Sequence, residues 1–288
     1  MLQLKPARCA AVLLLSVPAA AQTPSGVSFD QTITRVNRTT GRVDSSSNVI
    51  HALAAGNNMR IETVNNTLYP RMGPFSPGQH AVLLIRDGGS EMSFLNPDSK
   101  EYLSVRPLEM IAGFKKMLEG MGGSMTFDTT ASRISFDSIG PGPTIDGHPT
   151  VHYTLRTAVK ATVLMMGQTM TNEDVSVTEI YAAPDMTDFR DATNGLMNQF
   201  VEVARSMGMS DSMFEKMKAD QRKVRGFPLL MVKQSNRTQR GETRTSSETI
   251  ESRNARRVPA PDSLFAIPAG YKPVTMPVMP GATRENSP

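Results

Sequence analysis

The residues that could do chemistry in this chain are a histidine pair and two groups of methionines. His148 and His152 lie four apart, a spacing that on a helix places two imidazoles on one face and suits a metal ion. Here Pro149 lies between them and Thr150, Val151 and Tyr153 surround them, so the pair falls on a turn and a strand. Four strand residues span about 13 Å, too far for a shared ion. Met207, Met209, Met213 and Met217 form one methionine group, and Met117, Met121 and Met125 another. Thioethers suit Cu(I), but neither group has a nearby His or Cys, and a helix break separates Met207 from Met213. The expectation is no metal and no cofactor. Two roles remain open for the methionines: an adaptable apolar wall for a ligand, because the side chain is flexible and polarizable, or filler for an irregular core. The nucleophile elbow, the H-E-x-x-H zinc motif, the C-x-x-C pair, the phosphate-binding P-loop and the G-x-G-x-x-G turn are all missing. The chain therefore reads as non-enzymatic, with a hydrolase of dispersed site residues as the catalytic alternative.

The N-terminus sets an expectation about compartment. Lys5 and Arg8 precede an apolar stretch over residues 10–17, and Pro18-Ala19-Ala20-Ala21 ends in small residues. That is the pattern of a secretory signal peptide over 1–21, cleaved before Gln22. The apolar stretch is shorter than the roughly 20 residues a spanning helix needs. The single cysteine, Cys9, falls inside the leader, so the exported chain would rely on a core and not on disulfides. The expected location is the periplasm, as a soluble protein, with nucleic acid excluded as a normal partner.

Of the 31 Lys and Arg residues, Lys5 and Arg8 belong to the leader, leaving 29 against 27 Asp and Glu. Residues 22–200 hold 14 basic and 18 acidic groups, and residues 201–288 hold 15 and 9. A basic C-terminal third could touch an anionic membrane surface or an acidic envelope protein.

Most of the chain reads as short strands. Residues 27–36, 49–53 and 58–64 carry β-branched residues and partial alternation. In the third of these, Met59, Ile61 and Thr63 share one face and Arg60 and Glu62 the other. Residues 41–48 read as a turn region. Asp87-Gly88 between apolar runs 81–86 and 91–95 is a strong hairpin signal. Residues 100–105 add a strand, and Pro107 opens a helix to 121 with Leu108, Ile111, Phe114, Leu118 and Met121 at helical spacing. Strands resume at 125–127 and 133–139, then as a run of three over 151–159, 161–170 and 174–182, with a turn at 172–174. Helices are expected around Leu196–Met207 and over 211–223, capped at the first by Thr193 or Asn194. Residues 229–239 and 242–253 form a polar, basic hairpin. After Pro259 and Pro261, Asp262 or Ser263 can cap a turn carrying Leu264 and Phe265 onto the sheet, and 271–274 can pair as a last strand. Residues 276–288 read as a disordered tail. No repeat or linker divides 22–275, which is expected to be one domain.

Several stretches taken together resemble an exported bacterial family related to the LolA/LppX-type lipoprotein-carrier superfamily. They are Asn58-Met59-Arg60-Ile61-Glu62, Pro97-Asp98-Ser99-Lys100-Glu101-Tyr102, Thr144-Ile145-Asp146-Gly147-His148, Val177 through Asp185, and Ser263-Leu264-Phe265 through Gly270-Tyr271. The resemblance runs in order over about 49–275. It implies an α+β, mainly β fold: a curved, incomplete antiparallel β-barrel whose concave apolar face is covered by helices and takes acyl chains. It also implies that an early-strand arginine holds the helical cover, and Arg60 is similar in position. On this footing the chain is expected to bind a lipid or other hydrophobic ligand without catalysis. The expected site residues are Arg60, Phe114, Met117, Leu118, Met121, Met197, Phe200, Met213 and Met217. The alternative is an envelope structural or interaction module that uses its basic C-terminal hairpin.

Overall fold

The structure is a computed structural model. It describes residues 25–275 apart from 40, 121, 128–131, 166, 188–204, 206–214, 217–218, 221 and 240–241. The expected leader, the tail and most of the second helical section lie outside the described residues.

The chain is mainly β. Its first half is a meander: β1 (Ser25–Thr39), β2 (Arg42–Ala55), β3 (Asn58–Thr63), β4 (Val82–Arg86), β5 (Glu91–Asn96) and β6 (Glu101–Val105). Helix α1 (Pro107–Gly120) then leads to β7 (Ser124–Phe127) and β8 (Arg133–Pro141). A second meander follows: β9 (Val151–Met165), β10 (Gln168–Ala183), β11 (Phe227–Gln239) and β12 (Glu242–Pro259), with the two-residue β13 (Lys272–Pro273) last. All belong to one sheet in the order β13-β6-β5-β4-β3-β2-β1-β12-β11-β10-β9-β7, with β8 also on β9. The two meanders are joined by β1 and β12, which pair from Ser25↔Pro259 to Arg38↔Thr245. Every pairing is antiparallel except β13 on β6. β13 and β7 stand at opposite ends of the order, so the sheet is open.

Three local readings of the sequence change. Residues 42–48 are strand, because β1 runs to Thr39 and the hairpin turns at Gly41 in the left-handed region (φ 77°). The expected run of three strands is two long ones that turn at Gly167, and residues 172–174 sit inside β10, paired on both sides. Thr, Ser, Asn and charged side chains dominate these outer lengths because they lie beyond the apolar core, where both faces meet water and alternation carries no signal. In the closing segment only Phe265 is buried, at 2 % exposure, while Leu264 is 37 % exposed. The turn Asp262–Phe265 begins after Pro261 with no side-chain cap.

Residues paired across strands point to the same side, so the apolar residues sort onto two faces. On the core face, Val27, Phe29, Ala52, Ala54, Met59, Leu83, Ile85, Phe227 and Leu229 form one buried cluster. On the opposite face, Val82, Leu84 and Leu95 pack with Tyr102, Ile267 and Tyr271, and Ala55 packs with Ala260 and Phe265. The second face is therefore closed by the C-terminal segment, which crosses the first meander as a strap and pairs with its edge strand.

Candidate functional site

The core face is built by strand alternation and bordered by loops. Phe29 of β1 meets Phe227 of β11 edge-on at 5.1 Å, and Tyr69 meets Phe94 of β5 at 5.4 Å. Tyr69 belongs to the long connection between β3 and β4, which is pinned by buried polar groups. Asn48 Oδ1 accepts from Thr67 N at 3.0 Å and Thr67 Oγ1 at 2.7 Å. Asn66 Oδ1 accepts from Tyr69 N at 2.8 Å, and Asn66 Nδ2 donates to Gly78 O at 2.9 Å. Burial pushes the Tyr69 phenol up to about 12, so it stays neutral. Ile145, from the connection between β8 and β9, and Met186, from the turn Pro184–Met186 after β10, join the same cluster.

Farther along the same face, Tyr153 of β9 and Ile180 and Ala182 of β10 pack against Val224. Arg225 N donates to Tyr153 Oη at 3.1 Å. Met186 and Val224 are the two ends of the long connection between β10 and β11, so both ends of it are fastened to the core face. Glu215, Lys216, Ala219 and Asp220 within it are helical.

The opposite face carries a pocket of about 370 Å³ between the first meander and the strap, lined by His51, Arg60, Glu62, His80, Val82, Leu95, Pro268 and Tyr271 among others. Arg60 Nε donates to Glu62 Oε1 at 2.6 Å and Arg60 Nη1 to Leu264 O at 3.3 Å. Next to this pair, His51 Nδ1 lies 2.5 Å from Asp30 Oδ1, and Asn254 Nδ2 donates to Asp30 Oδ2 at 2.8 Å. Asn254 can reach because β12 bulges there: the register against β1 shifts between Ser28 and Asp30, and Asn254 adopts φ 56°. Burial pushes the Asp30 carboxyl upward, but the hydrogen bonds from Asn254 and His51 and the charges of His51 and Arg256 outweigh it, and the group is held below its ordinary range.

His148 and His152 do not form a pair. His148 Nδ1 contacts Asp185 Oδ2 at 2.7 Å, whereas His152 Nε2 contacts Glu179 Oε2 at 2.5 Å and its ring stacks on Tyr181 at 4.5 Å. Glu179 also accepts from Thr154 Oγ1 at 2.7 Å. Burial opposes ionisation here too, but the hydrogen bonds from Thr154 and His152, with the charges of His152 and Arg156, hold Glu179 below the usual carboxylate range. A carboxyl depressed in the folded chain adds stability above its unfolded value, near pH 4, and that stability is lost as pH falls through the lower folded value. The urea midpoint is therefore expected to drop on going from about pH 5 to pH 3. In a chain carrying Asp30→Asn and Glu179→Gln, the drop should be shallower, with the difference disappearing at the acid end.

The expected site residues fare unevenly. Arg60 is placed, but the groups it meets are Glu62 and the strap, not a helical cover, because its strand position turns it away from Met59 and the core face. Met117 is half-buried on α1, while Leu108 at 39 % and Met110 at 57 % exposure face solvent. None of the described α1 side chains joins a buried cluster. The side chains of Phe114 and Leu118, and all of Met121, Met197, Phe200, Met213 and Met217, lie outside the described residues. Sequence reasoning missed the roles of Asn48, Tyr69 and Val224 on the core face and of His51, His80 and Tyr271 in the pocket. For the pocket no local signal existed, because its walls come from residues more than 200 positions apart.

Comparison with known proteins adds little. No family model matches the chain, and no curated protein matches it. Solved structures of PNGF-II in C2 and P21 space groups align at 12 % and 11 % identity, each with a TM-score of 0.26, over 85 % of this chain. The aligned part covers 30 % and 32 % of those chains, so this chain spans about a third of their length. A likeness at that level carries no argument about fold or activity.

Proposed function

We propose that this chain is an exported, periplasmic, non-catalytic protein that holds a lipid or other hydrophobic ligand against the core face, in the manner of the lipoprotein-carrier superfamily its sequence resembles. One observation carries the reading: the connection between β10 and β11, which contains Met197, Phe200, Met213 and Met217, is tied at both ends to the apolar face by Met186 and Val224. In this reading that connection forms the cover, the sheet is the incomplete barrel, and the methionines are the adaptable wall. An acyl chain would be held by burial at about 0.8 kcal/mol per CH₂.

Native mass spectrometry after gentle purification tests this. A co-purifying or added acyl ligand retained at one equivalent is expected. A chain that keeps none, with an interior filled by its own side chains, would overturn the proposal. Replacing Met213 and Met217 with glutamate should weaken retention by about tenfold or more, the loss of roughly two buried methylenes. The melting temperature without ligand should change little.

A second reading has one observation in its favour. The pocket on the opposite face brings together His51, His80, Arg60 and Glu62, and Asp30 orients the His51 ring, an arrangement that suits general-base hydrolysis. A panel of chromogenic esters and phosphoesters decides it: turnover that disappears with His51→Ala supports a hydrolase, and no turnover above buffer removes it.

A further inference from the structure

We infer that the chain self-associates through the outer edge of β8, forming a two-fold symmetric dimer in which two copies of Arg133–Asp137 pair antiparallel. β9 is flanked by β10 on one side and by β7 and β8 on the other: β7 takes Ala161–Leu164 and β8 takes Val151–Ala158. The far side of β8 is thus the margin of the sheet, and among the described residues no strand pairs with it. The opposite margin is treated differently, since β13 and its Pro273 cap β6.

A free strand edge offers backbone groups to any extended segment, so what limits pairing is the side-chain pattern. On β8, Arg133, Ser135 and Asp137 share one face and Ile134 and Phe136 the other, as their partners on β9 require. If Ser135 lies opposite its own copy, Arg133 faces Asp137 of the second copy, and the two-fold axis repeats that pair. On the other face Ile134 lies against Phe136, also twice. Opposite charges and aromatic–β-branched pairs directly across strands are favourable. Sliding the register by two residues sets Arg133 or Asp137 against Ser135 and leaves the other charge unmatched, and sliding it by four sets Arg133 or Asp137 against its own copy. Arg133 is exposed and has no ion-pair partner among the described residues. Asp137 has Arg156 at 3.0 Å on its own sheet and half its surface still open, leaving it able to accept a second cation. Beyond Ser138 a bulge at Ile139, then Gly140 and Pro141, ends the regular edge and confines pairing to this stretch.

The contact is small, so the dimer should be weak and concentration-dependent. Analytical ultracentrifugation of the full chain is expected to give monomer at about 1 µM and mostly dimer at about 500 µM. Arg133→Asp and Asp137→Arg each place like charges opposite one another and should each remain monomeric over that range, with melting temperatures near that of the parent. Mixed in equal amounts, the two variants match every charge and should form a heterodimer. A parent chain that stays monomeric at the highest concentration would overturn the inference. So would single variants that dimerise as well as the parent, or a mixture that does not pair.

Discussion

Gly226→Ala is expected to prevent folding. Gly226 joins the long connection to β11 with φ 83°, a left-handed conformation that costs an L-residue roughly 1–2 kcal/mol. The steric term is larger. A Cβ there would stand 1.7 Å from Ala183 O, 2.4 Å from Ala183 C and 2.7 Å from Pro184 Cα. These are backbone atoms and cannot rotate away. Ala183 is fully buried and Phe227, the next residue, lies in the core cluster, so neither side can retreat without opening the packing of Phe29 on Phe227. A loss above about 4 kcal/mol is expected, out of the 5–15 kcal/mol that typical domains possess. Soluble yield and a thermal melt check it. A variant that melts within a few degrees of the parent would mean that residues 183–184 and 226 do not meet as described.

Phe265→Ala should cost about 3–5 kcal/mol, the usual range for removing a buried aromatic ring. Phe265 is the anchor of the strap, packed against Ala55, Ala260 and Leu53, and small alanine neighbours cannot reach in to fill the space left by the ring. The loss should be local before it is global: hydrogen exchange is expected to quicken first across 260–275 and then in β6, whose edge the strap covers. Leu264→Ala is the control. That side chain is 37 % exposed, and the polar contacts of the residue are made by its backbone, whose carbonyl accepts from Arg60 and whose N–H donates to Pro261 O. The substitution keeps both, so the loss should stay within about 0.5 kcal/mol. Equal effects from the two substitutions would show that the strap is seated differently.

How far the sequence could be read follows from where each kind of signal arises. Met59, Ile61 and Thr63 alternate with Arg60 and Glu62 because β3 separates an apolar face from a polar one, and the alternation was legible. Asp87-Gly88 was legible because a left-handed turn needs such residues, and both take positive φ. Residues 42–48 and 172–174 were misread as turns because serine, asparagine and aspartate favour turns locally, whereas here they lie in hairpins that extend past the core, 42–48 held by pairing with β1 and 172–174 by pairing with both β9 and β11. The parallel seat of β13 on β6 had no local signal at all, being decided by packing of Phe265, Ile267 and Tyr271. For the same reason the face that Arg60 serves could be inferred from alternation, but not what covers that face.

The pairing of β1 with β12 has a consequence for how the chain reaches this state. Gln31 and Ser252, hydrogen-bonded across that seam, are 221 positions apart. Until residues beyond 242 are available, β1 is the bare margin of a six-strand meander, and its neighbour in the finished sheet does not yet exist. Contacts of such separation slow folding, because the intervening chain must be closed into a loop before the pairing repays it. The protein should therefore fold late and all at once, with its first half held back by its last strands. A chain of this kind remains threadable for as long as its C-terminus is withheld, the state that the proposed export across a membrane would need.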